Sequence, residues 1–241
     1  MMNQMMQLVK QLSGKFGGSS YAMLNQTDPG KMAYMRELQR ELKKSDVLEA
    51  PLPELKVVVF DLETTGFFPY KGDRILSIGA VKMQGEKILD NETFYAPVRC
   101  ETELPEEITH LTGLTHEELA EADSIHDVLK EFYQFVRTKP LVAHHASHEK
   151  QFMKHATWKS LRTSFQHRIM DTSFLTNIIE PEAKLVTLED CCAHFGIEID
   201  RRHHALHDAI AAARLWAEGI QSIQKLGFTN LKEVYAHLGT K

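Results

Sequence analysis

Apolar and polar positions change rhythm near residue 50. Upstream, residues 2–12 and 31–44 place apolar side chains at helical spacing. In the second stretch Met35, Leu38 and Leu42 share one face, while Arg36, Arg40, Lys43 and Lys44 cover the other. Between the two lies Ser13-Gly14-Lys15-Phe16-Gly17-Gly18-Ser19-Ser20, which reads as a flexible connector. The pattern predicts a helical arm over residues 1–50. Such an arm packs on its own domain or docks on a protein partner. Its seven methionines, of ten in the chain, are adaptable side chains that suit the second role.

Pro51 and Pro53 mark the junction. Lys56 to Leu62 is short, apolar and β-branched, the pattern of a buried strand. Arg74–Met83 and Lys87–Val98 predict two more strands, joined by the turn Gln84-Gly85-Glu86. Pro105 opens a short helix, and Ile125–Val136 predicts a longer one with Ser124 as its N-cap. Short strands are expected at Leu141–Ala143 and His167–Met170, and a helix at Glu149–Ala156. Helices are also expected at Leu185–Phe195, ending at Gly196, at Ala205–Leu226, and after Thr229. A strand meander followed by alternating helices and strands predicts a mixed sheet flanked by helices, in the α/β class.

Composition narrows the class. The chain has 241 residues, 43% hydrophobic and 25% charged, with 28 basic and 33 acidic side chains. These are globular values, so collagen-like, disulfide-stapled and wholly disordered chains are excluded. The net charge of −5 means that any basic surface is local. Cys100, Cys191 and Cys192 form no CxxC pair, which argues against a thiolate zinc site and for reduced, buried thiols. No stretch approaches the ~20 apolar residues of a membrane span, and the N-terminus lacks a secretory pattern. The expected location is the cytoplasm, with no membrane partner.

Three segments carry chemistry. In Asp61-Leu62-Glu63-Thr64-Thr65-Gly66 the two acids point to one face, because strand side chains alternate. Two carboxylates so close at the end of an apolar strand call for a cation, and Mg²⁺ or Mn²⁺ suits oxygen ligands. In isolation such a pair is usually a solvated loop. In His203-His204-Ala205-Leu206-His207-Asp208-Ala209 a histidine stands just before a helix and Asp208 one turn inside it. The plain alternative is an acid favoured by the helix dipole. The adjacent His207-Asp208 pair also resembles the HD phosphohydrolase pattern, but that architecture is all-helical. The third segment, Ala143-His144-His145-Ala146-Ser147-His148-Glu149, follows a strand with a histidine cluster and an acid that opens a helix.

Together these segments resemble the DEDDh 3′→5′ exonucleases, a family that includes the epsilon subunit of DNA polymerase III, ribonuclease T and oligoribonuclease. Asp61 to Gly66 matches the first motif, and His203, Ala205, Asp208 and Ala209 match the last. Ile108 to Thr115 matches the segment between them. The resemblance covers roughly residues 55–220, within an exonuclease domain at 51–241. In the middle motif the family pattern is Ala-His-Asn-Ala-x-Phe-Asp. Here His145, His148 and Glu149 replace its Asn, Phe and Asp.

The resemblance implies a ribonuclease H-like fold and two metal ions, Mg²⁺ or Mn²⁺, about 3.5–4 Å apart. It implies that Asp61 bridges both ions, that Glu63 and Asp208 help to hold the first, and that Glu149 steers the second. His203 is implied as the general base and Thr64, Leu111 and Thr112 as lining of the 3′-end pocket. Phe67, Phe68 and Tyr70 follow the first motif and are candidates to stack on terminal bases. Glutamate at 149 adds a methylene, which Mg²⁺ tolerates badly, so reduced or Mn²⁺-favoured activity is expected. From Lys139 to Arg168 there are six basic residues and one acid, which predicts a basic rim for phosphates. The expected activity is release of nucleoside monophosphates from single-stranded DNA or RNA 3′ ends, with DNA slightly favoured. The alternative is a catalytically weakened nuclease-fold module that binds nucleic acid or a protein.

Overall fold

The computed structural model describes residues 47–183 and 185–239. The arm expected over residues 1–50 lies almost wholly outside them. Five strands form one sheet: β1 (Lys56–Thr64), β2 (Ile75–Gln84), β3 (Lys87–Pro97), β4 (Leu141–Ala143) and β5 (Ile169–Asp171). Their order is β3-β2-β1-β4-β5. The first three pair antiparallel as a meander, and β4 and β5 add in parallel beside β1. The described helices are α1 (Glu106–Thr112), α2 (His116–Glu121), α3 (Ile125–Val136), α4 (Ala146–Leu161), α5 (Ser173–Ile179), α6 (Leu188–His194), α7 (Ala205–Lys225) and α8 (Leu231–Leu238).

The mixed α/β sheet flanked by helices is the expected one, and its element order is ribonuclease H-like. Ser124 caps α3 by accepting from the Asp127 N–H. Two expectations need correction. The helix read over Glu149–Ala156 runs over Ala146–Leu161, because His145, two residues past β4, takes a left-handed conformation (φ 60°) and starts the helix early. The helix read from Leu185 begins at Leu188, where Thr187 makes a capping box with Asp190. Helices α2 and α5 were not foreseen.

Burial follows the two-residue period of β1. Val57 and Val59 join the main core with Leu175, Cys191, Ala212, Leu215, Trp216 and Ile220, beneath α5, α6 and α7. Phe60 points the other way and meets Phe132 of α3, their ring centroids 5.7 Å apart. A smaller apolar cluster, Leu76, Cys100, Leu104, Leu114 and Leu119, anchors α1 and α2. The three cysteines are free and buried. The N-terminal junction is fastened to α8: the Leu52 N–H donates to the Thr229 carbonyl at 2.9 Å, and Pro51 bridges Asn230. No helix among the described residues is long and apolar enough to cross a membrane.

Candidate active site

The face of β1 that buries Val57 and Val59 carries Asp61 and Glu63 at its C-terminal end, toward α7. What brings α7 there is the register Asp61↔Gly79. A side chain at Gly79 would run into the backbone of Ala205 and Leu206, so the glycine lets the first turn of α7 rest on the sheet. Asp208, one turn in, is thereby brought to the acids of β1. Glu149 arrives from α4, in the turn that follows β4. The site thus lies at the C-terminal ends of two parallel strands, a common place for ligands in α/β sheets.

The cluster is acidic and poorly hydrated. Glu63, Glu149 and Asp208 are buried. Burial, then Glu149, Glu63 and Asp208 in turn, push the Asp61 carboxyl well above its usual range. Glu63 is pushed up to about 7 by burial and by Asp208, with Arg202 opposing. Glu149 is pushed up to about 8, chiefly by burial. Asp208 is also raised by burial, against the pull of Arg202. Asp61 and Glu149 share a cavity of about 570 Å³ with Phe67, His148 and Arg202.

His203 belongs to this group. One ring nitrogen of His203 and one carboxylate oxygen each from Glu63 and Asp208 lie within 4.8 Å of one another. The two neighbouring histidines are engaged elsewhere: His204 stacks on Tyr95 at 4.4 Å, and His207 Nδ1 lies 3.8 Å from Asp200. The Asp208 carboxylate is fixed through one oxygen, Oδ2, which accepts from the His203 N–H at 3.1 Å and from Arg202. Arg202 in turn donates to Glu189 at 2.6 Å. Asp208 Oδ1 and Glu149 Oε2 are buried without a hydrogen-bond partner among the described residues. Two orphaned carboxylate oxygens among acids that resist ionisation fit a divalent cation with oxygen ligands.

Of the other expected site residues, Phe67 lines the cavity and the remaining three lie apart from it. Phe67 is exposed at the cavity wall, edge-on to His148 at 5.7 Å. Thr64, Leu111 and Thr112 do not line that cavity. The Thr112 hydroxyl is buried and spent, donating to the Ile108 carbonyl and accepting from the Leu114 N–H, so it closes α1. Thr64 Oγ1 donates to the Gly66 carbonyl at 2.7 Å, and Leu111 is exposed. The Ile108–Thr115 segment reaches the site indirectly: Gly113, in a left-handed turn, packs against the Arg201 guanidinium. The expected basic rim is dispersed. Lys139 lies near Lys82, and Arg168 near Tyr235. Lys150, Lys154 and Lys159 stay together on α4, with Arg162 at its C-cap.

Two residues that build the site escaped the sequence reading, and a third, His144, was read only as one of a histidine cluster. Asp171 caps two helices, accepting from the Ala146 N–H at 2.8 Å and the Ser173 N–H at 2.9 Å. Buried His144 joins Thr172 Oγ1 at 2.7 Å to the Val186 carbonyl at 3.0 Å. Arg202 is the other unforeseen residue. The only signal for Asp171 was its place at the end of a short strand, as for Asp61.

Comparisons with known proteins give the family and the fold. An exonuclease family model, RNase_T, matches residues 58–216. The chain belongs to that exonuclease family. A DNA polymerase III PolC-type protein of Clostridium perfringens is 36% identical over 177 residues, 73% of this chain and 11% of the relative. A DNA polymerase III subunit epsilon-like protein of Rhodobacter capsulatus is 31% identical over 200 residues, 80% of this chain and 28% of the relative. The chain therefore spans only a small part of the relatives it matches. The fold is shared with the nuclease domain of 3′hExo, a DEDDh family member bound to rAMP. Its TM-score is 0.61 and its identity 21%, over 69% of this chain and 92% of that one. The exonuclease family to which the chain belongs generally uses divalent metal ions.

Proposed function

We propose that this exonuclease works in the 3′→5′ direction, releasing nucleoside monophosphates from single-stranded ends, with DNA slightly favoured over RNA. The observation that carries this reading is the meeting of Asp61, Glu63, Glu149, Asp208 and His203 where β1 and β4 end. Asp61, Glu63, Glu149 and Asp208 would hold the divalent cations, Mg²⁺ or Mn²⁺, two per site. When bound, these ions neutralise charge on the scissile phosphate and lower the pKa of a bound water. His203 takes the proton from the attacking water, a task suited to an imidazole. Asp208 orients that chemistry because its other oxygen is pinned by the His203 N–H and Arg202. Phe67 offers a ring to a terminal base.

The names of the PolC-type and epsilon-like relatives support DNA as substrate and a polymerase as partner, with residues 1–50 as the docking arm of a 51–241 exonuclease domain. Buried free thiols and a nucleic-acid substrate support the cytoplasm. The test is nucleotide release from matched 5′-labelled single-stranded DNA and RNA, in Mg²⁺, Mn²⁺ or EDTA, beside Asp61→Ala. A ladder shortening from the 3′ end, lost in EDTA and in the variant, is expected. Folded protein that makes no ladder with either metal would overturn the reading and leave the binding module.

A further inference from the structure

A second cavity, of about 430 Å³, opens beside Phe152 on α4. Its floor is apolar, with Ile75, Val98 and Phe152 all buried. Its rim carries Arg74, Arg99 and Lys159. The one acid in its lining, Asp73, is already engaged, accepting from the Phe68 N–H at 2.8 Å and from Thr65 Oγ1. Arg99 is anchored by its Nε to the Ala122 carbonyl at 2.9 Å, and Arg74 by Nη1 to Thr102 Oγ1 at 3.3 Å. Each guanidinium has further N–H donors beyond that anchor. An apolar floor under three fixed or flexible cations fits a ligand that combines a flat ring with phosphate.

Rings connect this cavity to the carboxylate cavity. Phe67 and His148 line the first, and Phe152 and His155 the second. Phe67 lies 5.7 Å from His148, His148 lies 4.8 Å from Phe152, and the exposed Tyr70 lies 5.1 Å from His155. From Glu149 to Lys159 the helix rises ~15 Å. A stacked strand covers that distance in about four nucleotides.

We propose that the second cavity is an upstream nucleotide subsite. It holds a base of the substrate strand about four nucleotides 5′ of the scissile bond, with the adjoining phosphates on Arg74, Arg99 and Lys159. This rests on the exonuclease reading, because the first cavity fixes which end of the strand enters. Strands too short to span both cavities forgo the contact, so the site favours oligonucleotides over di- and trinucleotides.

The test is equilibrium binding of 5′-labelled thymidine trimer and octamer to the full chain carrying Asp61→Ala, which prevents cutting. The octamer is expected to bind at least ~10-fold tighter than the trimer, the worth of one stacked base and its phosphate contacts. Adding Lys159→Glu and Arg74→Ala should erase that gain, and Lys159→Arg should keep it, with melting curves verifying that each variant folds. A gain that persists in the double variant overturns the subsite, as does equal binding of trimer and octamer. Displacement of the octamer by polyglutamate as readily as by unlabelled octamer also overturns it, since the surface would then be a general anion or acidic-peptide site. The nucleotide-release assay on the unaltered chain is scored separately. Length-dependent, Lys159-dependent binding without release would sink the catalytic reading and leave the subsite. Release that is indifferent to length, with equal binding, would sink only the subsite.

Discussion

Glu149 and Glu63 hold their protons to about 8 and about 7, because burial strips water from their carboxylates. Both pKa values are raised above the ordinary 4.5, so the folded state binds protons more tightly than the unfolded state. Below about pH 4.5 both states are protonated and no penalty arises; above about pH 8 the folded state bears all of it. Without metal, stability should fall from pH 5 to 8, on the order of 1 kcal/mol per pH unit. Urea midpoints in EDTA check this, and saturating Mg²⁺ or Mn²⁺ should flatten the slope. A flat profile in EDTA would show that these acids are not desolvated as described. On the proposed role of Glu149 as a metal ligand, its length bears on metal preference. Glu149→Asp should raise turnover in Mg²⁺ relative to Mn²⁺ by at least ~3-fold, since Mg²⁺ demands the stricter geometry. An unchanged ratio of the two rates would rule the side-chain length out as the cause. Asp61 and Glu63 were legible from the two-residue strand period and Asp208 from its place at a helix start, while His203 was singled out from His204 and His207 only by the resemblance to the exonuclease motif. Arg202 and Asp171 were not legible. Each has a near partner, Asp208 and Ser173, but also one 13 or 25 positions away, Glu189 and Ala146, which no linear pattern pairs.

At the scale of elements, the site depends on how closely α7 approaches the sheet. Gly79 is the point of contact, and its Cβ has no space because the obstruction is backbone rather than a flexible side chain. Gly79→Ala should therefore cost about 2 kcal/mol, in the range of overpacked cores. It should also reduce nucleotide release by more than the loss of folded protein explains, because Asp208 moves with α7. Denaturant titration paired with activity per folded molecule checks this. Activity that merely tracks the folded fraction would mean that α7 shifts without disturbing the carboxylates. The elements themselves were largely legible. The β1–β3 meander, α3 with its Ser124 cap, and α7 have strong periods or clear punctuation. Helix α5 was not legible, since its seven residues fill less than two full turns and Thr172 makes no side-chain cap. The start of α4 was misread because a histidine at φ 60° does the work usually done by glycine or asparagine.

For the whole molecule, the basic stretch from Lys139 to Arg168 shows what chain order hides. The fold sends its two ends to different neighbours and keeps its middle on α4, so a linear count of charge overstated the rim at the carboxylates. The same reasoning applies to the arm. The main core draws on Leu52, Leu55, Val57 and later residues, with Val47, Leu48 and Ala50 packed at its margin. Lys232 pairs with Glu49 at 2.5 Å, and the Leu52 N–H ties the junction to Thr229. Among the described residues, those from 47 onward supply this core, the carboxylates, His203 and the lining of both cavities. Removing residues 1–46 should leave nucleotide release from single-stranded DNA within about 2-fold and the melting temperature within about 4 °C, the effect of roughly 1 kcal/mol in a domain of this size. Parallel melting and release assays on the full and shortened chains check both. A large loss of stability would mean that the arm belongs to the nuclease core. If release falls while stability holds, the arm takes part in gripping substrate. If both are kept, its methionine-rich helical pattern is left with the task its composition favours, holding a protein partner while the core trims the strand.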